Sequence, residues 1–256
     1  MNRLLRNILL ILLIITTSNN SYSQTCVIGV WTKDAIYFGA DSRTKTSQKK
    51  TNPHAKDVYF TVNSTACKIA IGGNIITAIA GVSGMEAELY SINCCVKSYS
   101  LKDAVNRFTE GWPIRLKKEI EDLKNNFPKE YEAIDNTIPR SEIMFGGFEN
   151  DQPVIYYVAF NVIDKNSKNM KFKISTQIIS QKSNLNSGYF LQYMGHHKDI
   201  DDMDDAMKIQ KMPPKDFLEL MIKKESTFTD NVGLPVSVLK MDRNNVKWLT
   251  KNKVCN

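Results

Sequence analysis

The stretch Thr25-Cys26-Val27-Ile28-Gly29-Val30-Trp31-Thr32-Lys33-Asp34-Ala35-Ile36-Tyr37-Phe38-Gly39-Ala40-Asp41-Ser42-Arg43 decides how this chain is read. Two apolar runs, residues 26–31 and 35–40, flank the polar tripeptide Thr32-Lys33-Asp34. Short runs rich in β-branched and aromatic residues around a polar turn predict a β-hairpin. Asp41 closes the second run, 16 positions after Thr25.

Upstream of this hairpin, Arg3 and Arg6 precede an unbroken apolar run over residues 8–15, and polar residues with small Ser21 and Ser23 follow it. That three-part pattern predicts a secretory signal over residues 1–24, and hence an exported protein, periplasmic or secreted. Eight apolar residues are too few to cross a bilayer, which takes roughly 20, so no membrane attachment is expected after signal removal. The small-x-small rule places the favoured cut between Ser23 and Gln24, one residue short of Thr25. What remains, residues 25–256, is long enough for one domain with a real core.

Hydrophobic residues make up 42% and charged residues 24% of the chain, which excludes a disordered or collagen-like protein. The formal charge of +7 falls to +5 without Arg3 and Arg6, and the lysines are scattered among acidic residues. That distribution reads as solubility rather than a nucleic-acid surface.

Downstream, residues 66–71 and 75–80 flank Gly72-Gly73-Asn74 and predict a second hairpin ending at Gly81. Residues 143–148 and 154–160 predict a third, a further strand is expected near 172–179, and residues 236–241 with 246–249 close the chain as a last hairpin. Residues 42–57, polar, lysine-rich and carrying Pro53, read as a long loop. Large apolar residues at 105, 108, 112, 116, 120, 123 and 127 predict one buried helical stripe, with a kink or two consecutive helices at Pro113. A second helical region is expected over 200–225, broken at Pro213-Pro214. Hairpins rather than βαβ crossovers predict an α+β fold, with antiparallel sheets and helices packed outside them.

The five cysteines are Cys26, Cys67, Cys94, Cys95 and Cys255, an odd number that leaves at least one thiol unpaired. Their spacing matches no zinc pattern, and they read as buried small hydrophobes, with one or two bridges open. His196, His197 and the acidic run 199–205 read as a solvated helix start, so neither metal nor cofactor is expected.

The register from Thr25 through Asp41-Ser42-Arg43 resembles the amino terminus of mature proteasome β subunits, which begin with a nucleophilic threonine and reach a Gly-Ala-Asp-Ser/Thr-Arg segment at the same distance. Cys67-Lys68-Ile69-Ala70-Ile71 and Ile79-Ala80-Gly81 are similar to the family's catalytic-lysine strand and oxyanion glycine. Residues 144–148 and 153–157 are similar to its central hairpin, and Asp230 stands where the family carries a supporting aspartate. Lys56 lies closer to the family spacing but lacks the following apolar strand and glycine, which favours Lys68. The resemblance implies a proteasome-type amino-terminal nucleophile (Ntn) hydrolase, a four-layer αββα sandwich of two antiparallel sheets between helix layers.

The resemblance also implies a reaction. Thr25 supplies a hydroxyl nucleophile and its own α-amino group serves as base, since an amine with a pKa of roughly 8 is partly neutral near physiological pH. Lys68, held charged by Asp41, lowers the pKa of amine and hydroxyl, the Gly81 N–H stabilises the oxyanion, and Asp230 supports the site. The expected partners are a peptide or amide substrate, with homo-oligomerisation left open. Two positions depart from the family: Met194-Gly195-His196-His197 replaces a Gly-Ser-Gly loop, and Gly233 stands in for a second supporting serine. The alternatives are a catalytically silent β-subunit-like binding or assembly protein, and a chain that starts at Cys26 and uses its thiol.

Overall fold

A computed structural model describes residues 25–50, 58–81, 84–165, 170–183, 188–195, 197, 200 and 212–255. The signal segment 1–24, Lys56, His196 and the aspartates of the 199–205 run lie outside the described residues. The quoted stretch forms a hairpin, β1 (Cys26–Thr32) and β2 (Ala35–Ala40), with Val27 opposite Ala40 and Trp31 opposite Ile36. The reading of residues 42–57 as a loop is corrected over residues 43–50, where β3 (Arg43–Lys50) pairs with β4 (Val58–Thr65) in a two-stranded ribbon of its own, while residues 51–57 lie outside the described residues. Pairing with the next strand overrides the weak strand signal of a lysine-rich segment.

The second hairpin is β5 (Ile69–Gly72) with β6 (Ile75–Gly81), turned where Gly73 adopts φ +62°. The described helices are α1 (Gly84–Val96), α2 (Leu101–Asn126), the short α3 (Pro128–Glu132) and α4 (Pro214–Phe228). Ser100 caps α2 by accepting the Asp103 N–H at 3.1 Å. The expected division at Pro113 into two helices is not formed. Phe108, Trp112, Leu116 and Ile120 on its inner stripe are fully buried, and that packing outweighs one missing backbone donor.

A third hairpin joins β7 (Ser141–Glu149) to β8 (Gln152–Val162) through Asn150 and Asp151, both at positive φ, as a two-residue turn with the twist of its strands requires. Then come β9 (Phe172–Ile179), β10 (Tyr189–Gly195) and the closing hairpin of β11 (Ser237–Asp242) and β12 (Asn245–Thr250). The fold is α+β, with two antiparallel five-stranded sheets ordered β10-β1-β2-β11-β12 and β5-β6-β7-β8-β9.

Strand alternation divides the core into three apolar clusters. Cys26, Ile28 and Val30 pack on Phe217, Leu218, Met221 and Ile222 of α4. Val27 and Trp31 on the other face of β1 meet Ile76, Ala78, Met144 and Ile155 of the second sheet. Ile143, Phe145, Val158 and Phe160 on the far face of that sheet pack on the α2 stripe. A disulfide joins Cys67 to Cys255, while Cys26, Cys94 and Cys95 keep buried thiols.

Candidate active site

The site assembles at one end of the two sheets. Asp41 leaves β2 fully buried, and its carboxylate gathers four donors. Oδ1 accepts the Cys26 N–H at 2.9 Å and the Lys68 ammonium at 2.7 Å; Oδ2 accepts the N–H groups of Arg43 and Gly233, each at 3.0 Å. Two bonds to one oxygen place Lys68 Nζ within roughly 5.6 Å of the Cys26 nitrogen, which is bonded to the carbonyl carbon of Thr25. Thr25 is 7% exposed, and by the alternation of β1 it shares the face of Val27 and Trp31 that looks toward the second sheet.

Lys68 stands just before β5 and is itself buried, with its ammonium also donating to the Arg43 carbonyl. Burial pulls its pKa below the ordinary lysine value of 10.5; Asp41 opposes that shift and the nearby Arg43 charge adds to it. Asp41 forms its ion pair with Lys68, while the Arg43 guanidinium turns to the Asp230 carbonyl. Asp41 and Lys68 are bridged in sequence by the β3–β4 ribbon, which leaves from Arg43 and returns at Thr65, and whose base is pinned where the Ala66 N–H meets the Ser42 carbonyl at 2.9 Å.

Gly81 ends β6 two residues beyond Ile79, whose N–H donates to the Lys68 carbonyl at 3.0 Å, so it lies about 7 Å along the strand from the lysine's rung. Its φ of +107° suits glycine alone, and a Cβ there would come within 2.5 Å of the Arg140 carbonyl oxygen and 2.9 Å of Ser141 Cα.

Asp230 does not join this cluster through its side chain. The residue is exposed, and it is its backbone carbonyl that accepts the Arg43 guanidinium. Gly233 packs tightly at this site: its N–H feeds Asp41, its carbonyl accepts the Ser42 N–H, and a Cβ would stand 2.6 Å from Arg43 Nε. A serine would collide there. Cys26 is fully buried among the residues that face α4, which places its thiol on the face of β1 opposite Thr25. No group of three or more His, Cys, Asp or Glu suited to a metal occurs among the described residues.

Sequence reasoning overlooked two participants. Arg43 fastens the loop at residue 230 and supplies the carbonyl that receives Lys68; its signal was its place directly after Asp41-Ser42. Glu142 is a buried carboxylate on β7, next to the apolar run Ile143-Met144-Phe145, where a charge is costly unless it is held. No protein family matches the chain, and no curated protein matches it either. No helix among the described residues is long and apolar enough to cross a membrane.

Proposed function

We propose that this chain is a threonine-type amidohydrolase or peptidase in which Thr25, exposed as the first residue by removal of an export signal, is the nucleophile. The observation that carries the reading is the Asp41 carboxylate, whose single oxygen holds both the Lys68 ammonium and the peptide nitrogen that follows Thr25. One core cluster between the two sheets and one between each sheet and its flanking helix fit the αββα sandwich of proteasome-type Ntn hydrolases. The Cys67–Cys255 bridge fits an oxidising compartment, periplasmic or extracellular.

In this mechanism the free α-amine of Thr25 takes the hydroxyl proton as Oγ attacks the substrate carbonyl. The cationic surroundings of Lys68 and Arg43 favour the neutral amine and the developing alkoxide. The tetrahedral oxyanion is met by the Gly81 N–H, and the amine then returns its proton to the departing nitrogen. Water repeats the attack on the acyl-enzyme and frees Thr25. Gln24, if retained, would acylate the amine and remove the base.

The experiment is amino-terminal sequencing of the exported protein, followed by intact mass after treatment with a β-lactone. A Thr25 start with one adduct on Thr25, lost in Thr25→Ala and strongly slowed in Lys68→Ala, is the expected outcome. A Thr25 start without adduct, or equal amide turnover by wild type and Thr25→Ala, would replace this reading with that of a silent binding or assembly protein.

A further inference from the structure

Glu142 is a buried carboxylate for which the reaction just described has no use. It lies on β7, 7% exposed, on the face that Met144 turns toward the first sheet. Its two oxygens hold different sheets: Oε1 accepts the Tyr157 hydroxyl of neighbouring β8 at 2.7 Å, and Oε2 accepts the N–H of Gly195, the end of β10, at 2.8 Å. Gly195 faces Cys26 in the β1–β10 register. Cys26 directs its N–H and its carbonyl to Asp41, on the β2 side, so the matching N–H of Gly195 points outward from that rung, where Glu142 meets it. Across β7, Glu142 pairs with Ala80 and its neighbour Ser141 pairs with Gly81.

Glu142 therefore ties the sheet that carries Thr25 to the strand beside the oxyanion glycine, in the loop where the family serine is missing. We propose that Glu142 is a positioning residue that, through Gly195, fixes the spacing between the Thr25 end of β1 and Gly81. The inference rests on the threonine-hydrolase reading for its catalytic consequence, though not for the clasp itself. The titratable groups facing Glu142 are Tyr157 on β8 and His197 beyond β10; its neighbour on β6 is Ala80. Burial raises its pKa above the ordinary carboxyl value, while the Tyr157 and Gly195 bonds and the His197 charge hold it down. The ionised form accepts both donors without competition; protonation turns one oxygen into a donor and weakens the clasp.

The test uses the full mature chain and Glu142→Gln, which keeps length and one acceptor, with Glu142→Ala as the harsher variant. Amide hydrogen exchange read over residues 26–28 and 193–197 should quicken together in both variants. With a peptide-amide substrate, kcat should fall about tenfold in Glu142→Gln and about a hundredfold in Glu142→Ala, with KM within about twofold, the signature of lost alignment rather than lost binding. The acid limb of the wild-type kcat profile should be steeper than the amine alone gives, and Glu142→Gln should return it to a slope of about one. Exchange confined to residues 193–197, or unchanged kcat and pH profile in a folded Glu142→Gln, would overturn the proposal. If the wild type shows neither turnover nor β-lactone adduct, the hydrolase reading falls, and exchange at residues 26–28 still decides whether Glu142 clasps β1.

Discussion

Replacing Asp41 with asparagine removes one charge and almost no volume, so it isolates what the carboxylate holds together. Each oxygen of Asp41 faces two donors. Whichever way the amide of asparagine turns, its NH2 meets a pair of N–H groups that have lost their acceptor. Lys68 is left buried without its counter-ion. Breaking a buried pair from one side costs about 3–5 kcal/mol, which for a domain of this size lowers Tm by roughly 6–20 °C. The loss also depends on pH. Lys68 already titrates below 10.5 in the folded chain because of its burial, and without Asp41 it must fall further. Between its folded value and 10.5 the unfolded chain binds more protons, so stability rises with pH in that window. The window opens at lower pH in Asp41→Asn, so the deficit should narrow as pH rises from 7 toward 10. Urea unfolding at a series of pH values reads both quantities. A loss below about 1 kcal/mol, or one that stays flat with pH, would refute the reasoning.

Gly81→Ala should lose about 2–4 kcal/mol, because it combines an unfavourable positive φ with a Cβ pressed on the Arg140 carbonyl; chemical denaturation checks it. Phe108→Ala, at a fully buried ring stacked on Trp112 and edge-on to Phe145, should cost about 3–5 kcal/mol and, if only the α2 layer is affected, leave Thr25 labelling unchanged once folded. Glu119 is pushed up to about 7 by burial and by Glu86. Its folded form therefore holds its proton above the unfolded pKa of 4.5, and its share of stability is lost as pH rises through 7. Glu119→Gln should accordingly raise Tm at pH 8, with the gain gone by about pH 4, as differential scanning calorimetry will read.

The hairpins were legible because their apolar runs alternate around turn residues, and α2 because seven apolar positions keep one helical face for more than five turns. Asp41 and Lys68 could be paired on paper because the stretch from Thr25 onward has a fixed register. What escaped depends on tertiary partners or on groups too small to show a pattern. β3 carries four charged residues in Arg43, Lys45, Lys49 and Lys50 and gains strand structure only by pairing with β4. α1 buries Ala87 together with Cys94 and Cys95, small groups that give no clear helical stripe. β10 takes its place only by lying against β1. Cysteine spacing could not select Cys67 and Cys255 across a separation of 188 residues. Asp230 was chosen by position alone, and its side chain proved to be outside the cluster.

The bridge from Cys67 to Cys255 closes a covalent ring that includes every helix described and eight of the twelve described strands. Lys68, the residue next to one anchor, lies on that ring, whereas Thr25 and Asp41 hang from its open tail. A protease cut at any single loop between the anchors leaves one molecule: two bands on a reducing gel, a single band without reductant. A cut between Asp41 and Cys67, by contrast, frees a fragment bearing Thr25 and Asp41, joined to Lys68 only by non-covalent bonds. The ribbon of β3 and β4 is thus the one covalent tether between the two halves of the candidate site, and trimming it severs that tether without removing a single group of the Asp41–Lys68 pair.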